Sequence, residues 1–129
     1  MPYSLNRVDL IGRLGHDAEM RFTADGQPMT RFSLATDRPA APGAQAETDW
    51  HHIICWRKLA EFAGQYLAKG RLVYVAGRLT YRTREERDGQ KRRIAEIVAT
   101  EILLLDRRPE ADARVQDTDT EARDDDTPF

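Results

Sequence analysis

Two tryptophans and a histidine in one short segment are the residues of this sequence best suited to bind a flat ligand. Trp50 and Trp56 are six positions apart, so on a regular strand they point to the same side, about 20 Å apart. His52 shares that side, while His51 and Cys55 point to the other. Aromatic rings exposed on a sheet stack on unpaired nucleic-acid bases of any sequence. Alternation alone leaves open whether these two rings lie in the core instead.

A second group of candidate residues is basic. The segment 78–93 holds seven Arg and Lys residues against three acidic ones. Arginine pairs with phosphates and also stacks on bases, so this excess predicts a nucleic-acid contact. A solvated hairpin is the alternative, and charge counting alone favours it. Tyr81 is a further candidate for stacking, or else an aromatic that packs on the sheet. The basic residues expected to contact a nucleic acid are Arg78, Arg82, Arg84 and Arg92.

The last six residues have the composition of a peptide ligand. Asp124, Asp125 and Asp126 precede Pro128 and Phe129. The proline fixes one φ angle and lowers the cost of ordering the peptide on binding. A partner with a small apolar pocket rimmed by Lys and Arg would accommodate the terminal ring and its carboxylate. The alternative is a solvated acidic tail.

The same sequence gives little support for metal binding or catalysis. His52 and Cys55 point to opposite faces of a strand, and His51 and Cys55 lie about 13 Å apart along one face. Zinc ligands sit about 2.0–2.3 Å from the ion. We therefore expect no metal and no cofactor. No phosphate-binding loop, nucleophile motif or paired carboxylates is present in the sequence, so we predict no catalytic residue and a protein that is not an enzyme.

Charge divides the chain in two. Residues 1–106 contain 16 Lys and Arg against 14 Asp and Glu, whereas residues 107–129 contain 4 against 8. A mildly basic body with an acidic segment is typical of a nucleic-acid binder that carries an interaction tail. Cys55 is the only cysteine, which favours a reducing, cytoplasmic setting. No apolar run is long enough to span a membrane, and the first residues do not resemble a secretory signal.

Hydrophobic periodicity places these residues on strands around one helix. Strands are predicted over 8–14, 29–36, 49–56, 72–84 and 91–98, and a helix over 59–67. Gly70 is placed to cap that helix, and Asp25-Gly26 and Asp88-Gly89 predict turns. The order β-β-β-α-β-β is that of the OB-fold, a five-stranded Greek-key barrel. We therefore predict an all-β domain with one helix.

The domain boundary is expected near Asp106. Aliphatic residues almost vanish after it, and such a segment cannot offset its ordering entropy by burial. We predict an OB-fold domain over residues 1–106 and a disordered acidic tail over residues 107–129.

Seven segments, taken in order, resemble the bacterial single-stranded DNA-binding protein family. The match covers about residues 5–105 and the terminal six. The segments are Asn6–Gly15 with Asp17 and Glu19, Phe32–Thr36, Thr48–His51, Lys58–Glu61, Tyr66–Gly70, Val73–Leu79 and Asp124–Phe129.

The resemblance implies an OB-fold homotetramer that wraps single-stranded DNA in the cytoplasm, in association with the nucleoid, and has no catalytic activity. It also implies that Asp124–Phe129 recruits enzymes of replication, recombination and repair. Trp50 and Trp56 fall where the family places base-stacking aromatics, and His51 falls at a subunit contact. Two departures stand out: the loop 37–47 has no aromatic residue, and Arg84 stands where many relatives have a tryptophan.

We therefore expect a binder of single-stranded DNA with little sequence preference that recruits partner proteins through its acidic C-terminal peptide. Basic residues would track the phosphates while aromatic rings stack on unpaired bases. The two missing aromatics favour an alternative, an OB-fold protein–protein adaptor with a weakened nucleic-acid face.

Overall fold

Residues 3–106, the part of the chain that the computed structural model describes, form six strands and one helix. The predicted acidic tail and its peptide Asp124–Phe129 lie outside the described residues. The elements in chain order are β1 (Val8–Leu14), β2 (Glu19–Phe22), β3 (Pro28–Asp37), β4 (Thr48–Trp56), α1 (Arg57–Tyr66), β5 (Leu72–Glu85) and β6 (Lys91–Leu104).

The strands form one sheet that closes on itself. Their order is β1-β5-β6-β4-β3-β2, and β1 also pairs with β3 at Leu14↔Leu34. Strands β4 and β6 run parallel through Ile53↔Ile97 and Ile54↔Val98, while every other pairing in residues 3–106 is antiparallel. The closed sheet with its single helix confirms the predicted OB-fold barrel.

The structure adds a sixth, short strand to the five that were predicted. Strand β2 forms a hairpin with β3 around the predicted turn at Asp25-Gly26, where the Thr23 amide donates to the Gln27 carbonyl at 2.9 Å. All four residues of β2 are exposed, so its sequence lacks the apolar alternation that predicted the other strands. Strand β6 also runs six residues beyond its predicted end at 98.

The core lies inside the barrel and beneath α1. Fully buried side chains come from alternate positions of β3, β4 and β5, among them Leu34, Ile53 and Val75. The helix closes one end of the barrel and buries Ala60 and Ala63. No helix in residues 3–106 is long and apolar enough to cross a membrane.

The prediction that Gly70 caps α1 is wrong. The helix ends at Tyr66, and the amide of Leu67 donates to the Ala63 carbonyl as the last helical bond. The buried Leu67 then continues in an extended conformation, and its carbonyl accepts from the Ala18 amide at 3.0 Å. Docking this residue into the core ends the helix before the glycine. Gly70 instead donates its amide to the Leu14 carbonyl at 2.9 Å.

A buried ion pair joins the residue before β5, Arg71, to Asp106, which follows β6. The Arg71 side chain is only 2% exposed, and its Nε donates to Asp106 Oδ1 at 3.0 Å. The other carboxylate oxygen, Oδ2, accepts from the Leu72 amide at 3.2 Å. Burial alone would raise the pKa of Asp106, but the Leu72 amide and the Arg71 guanidinium outweigh it and lower this pKa.

Candidate nucleic-acid interface

Strand register brings the tryptophan segment and the basic hairpin to one outer surface. Ile54 pairs with Val98, and Val98 pairs in turn with Arg78. Directly paired residues point to the same side of a sheet, so the even-numbered residues of β4 and β5 share the surface opposite the core. We name this surface the arginine–tryptophan face; its members are Trp50, His52, Trp56, Arg78, Arg82, Arg84 and Arg92.

The two tryptophans occupy different positions on this face. Trp50 is 55% exposed and lies opposite Ala35. Its ring packs on Gly15, where an added Cβ would stand 2.5 Å from a ring carbon. Trp56 is half-buried at the end of β4 and immediately precedes α1. The structure thus places Trp50 outside the core and Trp56 at its edge.

His52 lies exposed between the two rings, on the same side of β4. Its strand partner is the half-buried Ser33 on β3. The side chain is therefore accessible to a ligand that spans both tryptophans.

The predicted arginines line the hairpin on the same side. Arg84 and Arg92 are direct cross-strand partners, and both are exposed. Like charges placed opposite each other destabilise a sheet, and an anion bound between them would relieve that repulsion. Arg84 also forms an ion pair with Glu86 at 3.2 Å. Arg78 is exposed as well and lies closer to the barrel than Arg84 and Arg92 do. This part of the face therefore suits a polyanion.

A carboxylate that sequence analysis missed lies at the centre of the face. Glu96 is 6% exposed at its side chain and approaches Arg31 at 3.0 Å and Arg82 at 3.4 Å. The Arg31–Glu96 contact crosses β4 at Ile54, the direct strand partner of Arg31. Ile54 is only 4% exposed, although its neighbours on the same side of β4, His52 and Trp56, are exposed and half-buried. No spacing pattern in the sequence indicates this contact, because the three charged residues come from three separate strands.

The remaining predicted residues lie elsewhere. His51 is half-buried on the opposite side of β4, where its Nε2 is 2.8 Å from Thr36 Oγ1; its role at a subunit contact stays a prediction. Tyr81 lies on the other side of the hairpin, with the Arg93 guanidinium 4.3 Å from its ring centre. Tyr81 is thus separated from the arginine–tryptophan face.

Ion pairs of Arg38 join the two ends of the loop between β3 and β4. Arg38 donates to both carboxylate oxygens of Asp49 at 3.0–3.1 Å and also pairs with Glu47 at 2.8 Å. The hydrogen bond and charge of Arg38 lower the pKa of Asp49. These ion pairs position the start of β4, and Asp49 directly precedes Trp50.

The buried thiol of Cys55 is chemically inert at neutral pH. Its side chain is fully buried, and that burial raises its pKa to about 12. Because the thiolate is the form that binds metals and attacks electrophiles, Cys55 is a poor ligand and nucleophile. Within residues 3–106, no three His, Cys, Asp or Glu side chains are grouped so that they could hold a metal ion.

A closed Greek-key barrel of this strand order with a single helix places the chain in the class of OB-fold proteins. Comparison with known families gives the narrower assignment. The model of the single-strand binding protein family matches residues 5–105. The chain belongs to this family.

Individual relatives agree with this assignment. The single-stranded DNA-binding protein of Neisseria meningitidis serogroup A is 47% identical over 110 residues, which cover 83% of this chain and 63% of that protein. Single-stranded DNA-binding protein 1 of Chlorobaculum tepidum is 44% identical over 109 residues, covering 81% and 67% of the two chains. The chain thus spans less than two thirds of the length of the Neisseria relative.

A solved structure shares the architecture. The Plasmodium falciparum SSB, in a complex with ssDNA, superposes with a TM-score of 0.74 at 32% sequence identity. The match covers 82% of this chain and 99% of that one.

Proposed function

We propose that this protein binds single-stranded DNA without catalysis and with little sequence preference, and that it protects the strand during replication, recombination and repair. The observation that carries the proposal is the register of β4, β6 and β5, which gathers the arginine–tryptophan face on one outer surface. Membership of the single-strand binding protein family supports the same function.

Each group on the face would have a separate task. Trp50 and Trp56 offer flat apolar surfaces to unpaired bases, whose π-faces are common to all sequences. Arg78, Arg84 and Arg92 would contact phosphates, which carry no sequence information. In duplex DNA the bases are stacked on one another and unavailable to the rings. Preference for single strands therefore follows from the rings, and salt sensitivity follows from the arginines.

Oligo-dT is expected to bind at least tenfold more tightly than duplex of equal length, with strong quenching of tryptophan fluorescence. Affinity should fall as salt rises, by a slope of about −0.7 per phosphate contacted, because counterions are released. A fluorescence titration at several salt concentrations measures both quantities. Equal affinity for single strand and duplex at moderate salt would rule out the stacking mechanism, and binding to neither would favour the adaptor alternative.

Gly15→Ala is expected to weaken oligo-dT binding by about 1–3 kcal/mol, the contribution of one stacking ring. The new Cβ would overlap the Trp50 ring and push it from its position on the face. Titration in the Trp56→Phe background reports on Trp50 alone. Ala95→Ser, a small change on the Tyr81 side of the hairpin, is the control. Unchanged affinity and Trp50 emission in Gly15→Ala would show that the ring does not depend on Gly15.

We further propose that the C-terminal peptide recruits replication and repair proteins through Asp124, Asp125, Asp126, Pro128 and Phe129. We also propose that the protein is a homotetramer with His51 at a subunit contact. It would work in the cytoplasm, in association with the nucleoid. The charge split between the basic body and the acidic residues 107–129 supports the recruiting role. Size exclusion with light scattering tests the tetramer.

Deleting residues 124–129 is expected to abolish capture of replication and repair proteins while leaving DNA affinity unchanged or slightly tighter. The acidic peptide carries the same charge sign as DNA and cannot add to strand affinity. Phe129→Ala should produce most of the loss, because the apolar anchor gives the specific contact. Affinity capture with the full-length chain as reference measures it. Undiminished capture after deletion would make the segment a solvated acidic end.

A further inference from the structure

Glu96 connects two arginines that come from different strands. Arg31 lies on β3 and Glu96 on β6, and β4 runs between them. Neighbouring strands are about 4.8 Å apart, so the Arg31 and Glu96 side chains together span roughly 10 Å through their 3.0 Å contact. Arg82 approaches the same carboxylate oxygen, Oε2, from β5 at 3.4 Å. The bridge therefore crosses the face over Ile54, between Trp50 and Trp56.

Both arginines face the carboxylate through Nε. The Arg31 Nε–H donates to Glu96 Oε2, and the buried Arg82 Nε lies near the same oxygen without a hydrogen bond among the described residues. The Arg31 and Arg82 side chains remain 45% and 39% exposed. Both side chains are therefore held by the Glu96 carboxylate through Nε and are still accessible to a bound anion.

The charge balance of this cluster favours an anion. Two guanidiniums and one carboxylate leave one net positive charge, and the carboxylate is the buried member. Guanidinium groups bind phosphate oxygens through paired N–H donors. A strand stacked on both tryptophans must cross the bridge, because Ile54 lies between Trp50 and Trp56 on the same side of β4.

We propose that Glu96 is a positioning residue that holds Arg31 and Arg82 side by side as a clamp for one phosphate of the bound strand. Arg31 is then a strand-contacting residue in its own right. This inference rests on the proposed single-stranded DNA binding. The DNA backbone that links the base on Trp50 to the base on Trp56 would contact Arg31 and Arg82.

The decisive variant is Glu96→Gln in the full-length chain, titrated with oligo-dT. Removing a negative charge from a DNA-binding face should tighten binding if Glu96 acts only through its charge. If Glu96 positions the arginines, affinity instead falls by about threefold to tenfold, and the salt slope decreases by about 0.7 as one phosphate contact is lost. Tighter or unchanged binding overturns the proposal.

Arg31→Lys supplies a second test that leaves Glu96 in place. Lysine keeps the charge but has a single nitrogen, so it cannot hold the carboxylate with one N–H group and reach a phosphate with a separate fork. We expect binding about threefold weaker and the same thermal unfolding midpoint. Unchanged affinity overturns the clamp. The control is Arg7→Lys, at an exposed arginine that pairs with Asp9 at the start of β1.

A double variant separates positioning from general destabilisation. In the Arg31→Ala/Arg82→Ala background, Glu96→Gln should no longer weaken binding, because the residues through which it acts are gone. A further loss in this background overturns the proposal. Absence of oligo-dT binding by the wild-type chain overturns the proposed function and this inference with it, whereas wild-type binding with a tighter Glu96→Gln variant overturns this inference alone.

Discussion

Replacing Trp50 and Trp56 together by alanine is expected to weaken oligo-dT binding by about 2–6 kcal/mol, since each stacking aromatic contributes about 1–3 kcal/mol. Most of the effect on folding should come from Trp56, which is half-buried and adjoins α1. Trp50 is 55% exposed and should be removable without loss of structure. Because the double variant has no tryptophan, a labelled oligonucleotide and anisotropy give the affinity.

Single variants assign the effect to each ring. The chain has two tryptophans, so Trp50→Phe and Trp56→Phe each leave one fluorescent reporter, and stacking predicts that single-stranded DNA quenches both. Tyr81→Ala is the matched control, because Tyr81 is also 55% exposed but lies on the other surface of the hairpin. If Trp56→Ala unfolds the domain, Trp56 belongs to the core and its assignment to the face is wrong.

Much of the fold could be predicted because its strands and helix carry local signals. Alternation marks five strands, and two Asx-Gly turns mark the hairpins. Strand β2 was missed because four exposed residues give too short a pattern to separate from a turn. The contacts that close the barrel, Leu14↔Leu34 and Ile53↔Ile97, join distant segments. No local pattern reports such pairings, and the OB-fold assignment depended on the order of the elements.

The candidate site was predictable only where its residues share a segment. Trp50, His52 and Trp56 lie on one strand, and their spacing alone places them on the same side. Alternation could not show which side is buried, and Ile54 illustrates why: it lies on the outer side and is still only 4% exposed, at the point where the Arg31–Glu96 contact crosses β4. That contact depends on three-dimensional register and could not be predicted from the spacing of charges.

The predicted basic hairpin shows the same limit. Counting charges treats its seven basic residues as one group, but the pleat divides them between two surfaces. Arg84 and Arg92 face each other on one surface, whereas Arg93 packs over Tyr81 on the other. The number of arginines available to one DNA strand is therefore smaller than the charge of the segment indicates, and the salt slope should reflect that smaller number.

Asp106→Asn is expected to lower the free energy of unfolding by about 3 kcal/mol at pH 7. The substitution removes the Asp106 carboxylate charge from the buried Arg71 guanidinium, and removing one partner of a buried ion pair costs about 3–5 kcal/mol. We expect the lower end of this range because the Asp106 side chain is 29% exposed. Urea unfolding of the full-length chain measures the difference from wild type.

The pH dependence of this difference tests its electrostatic origin. Folding lowers the pKa of Asp106 below its ordinary value of 3.8, so near that pH the unfolded chain binds more protons than the folded one. The stabilisation is therefore complete above the unfolded pKa and is lost as pH falls through the folded pKa. Asparagine does not titrate, so the gap between wild type and Asp106→Asn should narrow steadily below about pH 4.

The control is the same substitution at an exposed ion pair. Asp9 pairs with Arg7 at 2.9 Å, and the hydrogen bond from Arg7 lowers its pKa as well. Both partners are open to water, which screens their attraction and solvates whichever charge is left behind. Asp9→Asn should therefore change stability little, although its carboxylate also has an arginine partner. If the two variants lose equal stability, burial of Arg71 is not what makes the Asp106 pair strong.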